Sequence, residues 1–151
     1  MKRYQDWPGR LKDYIEVAEK RPFSWGRFNC CHFVSGGIEA LSGEDVSVLF
    51  SAGAIRGVVS ARKQLKAFSG GGVLEMAETI AEASGMEPVR PAMAGRGDVV
   101  YLKDGTSEAL GLVSLNGKQA LFLMPPVEGD LSDGGFVRVP VLACQKAWKI
   151  P

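Results

Sequence analysis

The clearest hydrophobic pattern of the chain lies between residues 30 and 41, where apolar or small side chains recur at helical spacing. The members of this pattern are Cys30, Phe33, Val34, Gly37, Ile38 and Leu41. Their spacing places them on one continuous face of an α-helix. Asn29 directly before the pattern is a favoured N-cap residue, and Gly43 after it is a favoured C-terminal cap. We therefore predict a helix that begins at Cys30 and buries this face.

Weaker helical patterns occur on both sides of this segment. Residues 10 to 20 carry apolar side chains at helical spacing and are followed by Pro22, which ends a helix. Residues 58 to 68 and 73 to 84 show the same periodicity, and the second of these patterns stops at Gly85. Four helices in the first part of the chain are predicted.

The second part of the chain has the pattern of strands. After a loop predicted over 87 to 97, short runs are rich in β-branched and aromatic residues, at 98 to 102, 109 to 115, 119 to 124, 136 to 141 and 146 to 150. Asn116 and Gly117 form the dipeptide favoured in a tight hairpin turn, and a polar loop is predicted over 124 to 135. Helices followed by strands indicate an α+β fold with a small antiparallel sheet.

Length and charge narrow the class of protein. A chain of 151 residues fits one domain over 1–151. Its 18 basic and 17 acidic residues leave a net charge of +1, which gives no basic footprint for nucleic acid or an anionic membrane. No apolar run of about 18 residues predicts a membrane-spanning segment, and the first residues lack the apolar core of a signal peptide.

The cysteine and histidine content argues against disulfides and metals. Three cysteines, two of them adjacent, form a poor disulfide framework and indicate a reducing compartment during folding. His32 is the sole histidine, and no spaced Cys/His pairs accompany it. We therefore predict neither a metal site nor a cofactor.

Cys30 is the candidate catalytic residue of this chain. A thiol in the first turn of a helix lies at the positive end of the helix dipole, which favours the thiolate and raises its nucleophilicity. Free cysteine is also among the most buried residue types, so packing alone is the alternative explanation. Position along the chain leaves both interpretations open.

Three motifs resemble the NlpC/P60 superfamily of papain-like cell-wall peptidases. The run NCCHFV at 29 to 34 resembles its Asp-Cys-Ser-Gly-Phe-Val signature, with Cys30 in the nucleophile position. RGDVVYL at 96 to 102 and ALGLVSLNGK at 109 to 118 resemble the two strand motifs that follow in that family. The resemblance implies a papain-like fold, with the cysteine on a helix N-terminus packed on a small antiparallel sheet or half-barrel.

A closer resemblance is to a small NlpC/P60-like family encoded beside the tail-tip genes of tailed phages and prophages. It rests on FSWGRFNCC at 23 to 31, a Gly-Gly segment before a helix, the strand motifs and the terminal AWKI. This resemblance implies a virion protein of the tail tip that is made in the host cytoplasm, with other tail proteins as partners. The residues that would support Cys30 are Trp25, Gly26, Asn29, Cys31 and Asp98.

The chain departs from the peptidase pattern at two positions. In the peptidases a histidine opens the second strand motif and a third polar group on the next strand orients its ring. Here these positions hold Ala109 and Leu121. The side chain of His32 projects about 200 degrees around the helix from Cys30, and Asp98 is expected to hydrogen-bond backbone groups where its strand begins.

Two functions follow from this comparison. The first is a non-catalytic tail-tip or tail-assembly protein on an NlpC/P60-like scaffold. The alternative is a cysteine peptidase or amidase that cleaves peptidoglycan peptides with Cys30 as nucleophile and an unorthodox or partner-supplied base. A transferase or thioester-forming enzyme that needs only the thiolate is a third, weaker hypothesis.

Overall fold

The structure is a computed structural model that describes residues 1–47, 72–105, 107–126 and 134–151. These ranges contain the helices α1 (Trp7–Ala18), α2 (Cys30–Ser42) and α3 (Val73–Ser84). They also contain the strands β1 (Glu87–Val89), β2 (Val99–Asp104), β3 (Ser107–Val113), β4 (Gln119–Met124), β5 (Gly135–Pro140) and β6 (Lys146–Lys149). The α+β prediction is confirmed. The helix predicted over 58 to 68 lies outside the described residues.

The six described strands form one antiparallel sheet in the order β1-β6-β2-β3-β4-β5. The assignment of residues 87 to 97 to a loop is wrong at its start, because β1 pairs with β6 and places Pro88 opposite Trp148. A three-residue strand that contains proline carries no alternating pattern, and proline is tolerated there because β1 is an edge strand. In the described ranges no helix is both long and apolar enough to cross a membrane.

The two faces of the sheet bury different sets of side chains. The face toward the helices packs Leu110, Leu112, Leu121 and Leu123 against α1, α2 and α3. The opposite face, called here the outer face, buries a smaller cluster of Val100, Ala109, Val113, Ala120, Phe122, Val141, Cys144 and Ala147. Successive strand residues point to opposite faces, so adjacent residues of β3 belong to different clusters.

Helix α2 packs directly on β3. A Cβ atom added at Gly37 would collide with the side chain of Leu112, so glycine here allows the helix to approach the strand closely. Gly43 ends the helix in the left-handed conformation at φ 80°, as its position in the sequence predicts. Helix α1 begins at Trp7, earlier than residue 10, because Pro8 is accommodated in the first helical turn.

Candidate functional site

Cys30 is the first residue of α2, as predicted, and its side chain is half-buried. Its sulfur lies 4.0 Å from that of Cys31. A hydrogen bond from the Cys31 thiol, together with the backbone N–H groups of Leu110, Cys31 and Cys30 itself, lowers the pKa of Cys30 to about 7, although burial opposes this shift. Hydrogen-bond donors alone therefore favour the thiolate form of Cys30.

Cys31 has the opposite character. Its hydrogen bond to Cys30 and its burial raise the pKa of Cys31 well above the usual range of a thiol. On its other side, its sulfur lies 3.9 Å from the thioether sulfur of Met76 in α3. Cys31 is therefore the protonated member of the pair, and Cys30 is the member that becomes the thiolate.

The loop before α2 holds the helix start in place. Ser24 and Phe28 exchange two backbone hydrogen bonds of 2.9 Å, so that Trp25, Gly26 and Arg27 form a short connection between them. The side-chain amide of Asn29 donates a hydrogen bond to the backbone carbonyl of Trp25 at 2.8 Å. Its side-chain oxygen accepts from the N–H groups of Cys31 and His32 at 3.0 and 3.2 Å. Asn29 is therefore the predicted N-cap, and it also binds the loop to the helix.

His32 belongs to the same cap. Its Nδ1 atom accepts a hydrogen bond from the backbone N–H of Asn29 at 3.3 Å, which completes a capping box. Burial, with a smaller contribution from the charge of Arg21, lowers the pKa of His32. The chain contains one histidine, and the Nδ1 atom of its ring is used to cap the helix that carries Cys30.

Asp98 is a structural anchor, as the sequence suggested. Its buried carboxylate accepts from the backbone N–H groups of Gly95 and Ile150 at 2.8 and 3.1 Å and pairs with the guanidinium of Arg3. Arg3 also donates to the carbonyls of Arg96 and Ile150 at 2.7 and 3.0 Å. The carboxylate therefore joins residues near both ends of the chain to the start of β2, and these partners occupy its oxygens.

The two positions aligned with the missing catalytic partners lie on opposite faces of the sheet. Ala109 packs in the outer cluster, away from α2. Leu121 pairs with Leu112 and packs in the cluster on the helix side. The structure therefore does not bring Ala109 and Leu121 together, because alternation along β3 places Leu110 rather than Ala109 on the helix side of the sheet.

A polar pair on the helix side of β3 was missed in the sequence. The hydroxyl of Tyr101 donates a hydrogen bond to the carboxylate of Glu108, one strand position before Ala109. Burial and the carboxylate beside it raise the pKa of Tyr101. Alternation along β3 places Glu108, Leu110 and Leu112 on one face, so the pair was detectable once the strand was known to begin at residue 107.

A family model described as a domain of unknown function, DUF6950, matches residues 2–150. The chain belongs to the DUF6950 family. Both Cys30 and the Asp98 anchor lie within this DUF6950 domain, and no curated protein matches the chain.

A large cavity of this DUF6950 domain lies beside the C-terminal end of α1 and not at the thiol of Cys30. It has a volume of about 530 Å³ and is lined by Arg21, Phe23, Leu121, Phe136 and Arg138, among others. Cys30 is not one of its lining residues. In the described part of the chain, no group of three or more His, Cys, Asp or Glu side chains is arranged to hold a metal ion.

Proposed function

We propose that this DUF6950 protein is a tail-tip or tail-assembly protein of a tailed phage or prophage, built on an NlpC/P60-like scaffold that does not hydrolyse peptidoglycan. The observation that carries the proposal is the position of the only imidazole, whose Nδ1 atom caps α2. A cysteine peptidase needs a base within about 3 Å of its nucleophile. His32 is committed instead to the start of the helix.

Residues of β3 and β4 support the same proposal. The backbone N–H of Leu110 helps to lower the pKa of Cys30, and Leu121 is buried among apolar side chains. The carboxylate of Glu108 is held by the hydroxyl of Tyr101. A thiolate stabilised by N–H groups lacks the proton shuttle that must protonate the leaving amine during hydrolysis of an amide.

Exposed apolar side chains are consistent with a protein that functions through contacts. Met93 and Leu142 are 62% and 77% exposed and lie on two short helical turns, Pro91–Met93 and Val141–Ala143, that contact each other. Val17 on α1 is 63% exposed. The two neighbouring turns, unlike the single exposed side chain of Val17, carry the kind of apolar surface that an assembly partner would cover.

The test uses deletion of the gene in its phage or prophage, complemented either by the wild type or by Cys30→Ala. We expect the deletion to abolish complete tails in electron micrographs and both complementing proteins to restore them. In parallel, purified muropeptides incubated with either protein should yield no new amine ends. Normal tails in the deletion strain, or cleavage by the wild type that is lost in Cys30→Ala, would contradict the proposal.

A cysteine peptidase or amidase is the second candidate, and the lowered pKa of Cys30 favours it. The thiolate would attack an amide carbonyl of a cell-wall peptide, and backbone N–H groups at the helix start would stabilise the oxyanion. Loss of a general base typically lowers the rate about 100- to 10,000-fold. Slow cleavage dependent on Cys30, measured over days against the Cys30→Ala control, would favour this candidate.

A further inference from the structure

The cavity of about 530 Å³ lies between the end of α1 and the strand β5, and its lining combines positive charge with apolar surface. The positive residues are Lys20, Arg21 and Arg138, and the apolar side chains are those of Phe23, Leu121 and Phe136. Among the described lining residues, Glu19 is the only acidic one. The whole chain is nearly neutral, with 18 basic and 17 acidic residues, so this excess of positive charge is local.

The same cavity borders a strand edge that can accept a further strand. β5 is the last strand in the sheet order, and among the described strands it pairs with β4 alone. Val137 on β5 is exposed. At the opposite edge, β1 has three residues and contains Pro88. β5 is therefore the longer of the two edges, and extended peptides add to such edges through main-chain hydrogen bonds.

Alternation along β5 connects this edge to the cavity. Phe136 pairs with Leu123 and Arg138 pairs with Leu121, and both leucines pack on the helix side of the sheet. Phe136 and Arg138 both line the cavity. A strand added to β5 would direct every second side chain toward the same side of the sheet.

We propose that the free edge of β5 binds an extended acidic peptide by strand addition, with an apolar side chain opposite Phe136 and a carboxylate opposite Arg138. These two side chains are two positions apart in the peptide, because they share one face. A second copy of this chain would bring the same positive residues to the contact, so charge favours a partner of opposite sign. The inference goes beyond the proposed assembly function, since the isolated protein should bind such a peptide.

Glu19 marks a position that the peptide carboxylate can take. Its Oε1 atom lies 3.0 Å from the guanidinium of Arg138, and both side chains are exposed. An exposed pair of this kind contributes little to stability, so a peptide carboxylate can replace Glu19 at Arg138. The guanidinium of Arg21 lies 4.1 Å from the centre of the Phe28 ring, a contact that holds a second cation at the cavity wall.

The probe is a fluorescein-labelled peptide of two Thr-Leu-Thr-Glu repeats, in which leucine and glutamate share one face of the extended chain. Fluorescence anisotropy should show saturable binding of one peptide per protein chain, and added salt should weaken it. A peptide of two Leu-Glu-Thr-Thr repeats has the same composition but places leucine and glutamate on opposite faces. It should bind about fivefold more weakly or less tightly still, because one of the two cross-strand contacts is lost.

Three variants test the residues. Arg138→Glu should weaken binding about tenfold or more, because like charges would face each other. Glu19→Gln removes the competing carboxylate and should strengthen binding about two- to fivefold, a gain that a damaged protein could not show. Arg90→Glu is the matched control, since Arg90 follows β1 at the opposite edge of the sheet, and it should bind like the wild type.

Hydrogen exchange localises the peptide. Amide groups of β5 should exchange more slowly in the complex, whereas those of β1 should not change, and gel filtration should show a monomer with and without the peptide. Absence of binding, equal binding of the two peptides, unchanged affinity in Glu19→Gln, no added protection of β5, or copies of the chain paired through β5 would overturn the proposal.

Discussion

The backbone N–H of Leu110 in β3 helps to lower the pKa of Cys30 at the start of α2. The side chain of Leu110 packs on the helix side of the sheet, and alternate residues of a strand point to the same face. Glu108 and Leu112 lie on that side, whereas Ala109 lies on the other. The side chains that β3 presents to the helices therefore depend on the register of this strand.

Replacement of Cys31 by alanine should raise the pKa of Cys30. The Cys31 thiol is the largest contributor to the lowered value, so its loss should move Cys30 toward the ordinary thiol value of about 8.5. The measurement is the pH dependence of the rate at which iodoacetamide alkylates Cys30, followed by mass spectrometry. Cys144→Ser is the control and should leave this profile unchanged, and an unshifted profile in Cys31→Ala would contradict the assigned hydrogen bond.

A histidine placed at position 109 should not act as a base for Cys30. Ala109 is buried in the outer cluster, so Ala109→His should overpack it, lower the free energy of unfolding by about 1 to 3 kcal/mol, and leave Cys30 alkylation unchanged. Glu108→His places the ring on the helix side of β3 and should change the alkylation profile. Denaturant unfolding measures the stability of the variants, and alkylation measures the reactivity of Cys30. An alkylation profile that changes in Ala109→His but not in Glu108→His would show that the β3 register is different.

Stability should fall in mild acid because of His32. Its pKa is lowered in the folded protein, so the unfolded chain binds the proton more readily. The stabilising contribution of the neutral ring is complete above the ordinary histidine value of about 6.5 and is lost as the pH falls through the lower folded value. Protonation of Nδ1 also removes its hydrogen bond with Asn29.

The matched variant for this prediction is His32→Gln, since glutamine at the third helical position can complete a capping box without titrating. Urea unfolding from pH 7.5 to 5 should show a steeper decline for the wild type than for His32→Gln. Parallel declines in the two proteins would exclude His32 as the titrating group.

Removal of the Asp98 carboxylate should destabilise the protein strongly. Asp98→Ala leaves the Arg3 guanidinium and two backbone N–H groups without their acceptor, and loss of one partner of a buried ion pair costs about 3 to 5 kcal/mol. Asp98→Asn retains an oxygen acceptor and should lose less. Denaturant unfolding measures both variants.

The control for the Asp98 variants is Asp6→Ala, which breaks the exposed pair of Asp6 with Arg10. Exposed pairs contribute little to stability, so this variant should unfold like the wild type. If Asp6→Ala and Asp98→Ala lowered the free energy of unfolding equally, burial of Asp98 would not explain its contribution to stability.

The local elements of this protein were determined by its sequence. Helical periodicity, the Asn29 cap and the Gly43 stop defined α2, because capping and amphipathic spacing are interactions between residues close in the chain. The pattern after residue 98 likewise predicted five of the six described strands. The strand it missed, β1, exists because β6 pairs with it, which no local pattern reveals.

Only the tertiary structure decided what surrounds Cys30. A shift of one residue in β3 moves every side chain to the other face, so a motif alignment alone could not establish that Ala109 packs in the outer cluster. The contact between Cys31 and Met76 joins residues 45 positions apart and arises from the packing of α2 against α3. The sequence therefore identified the cysteine, and long-range pairing and packing determined its neighbours.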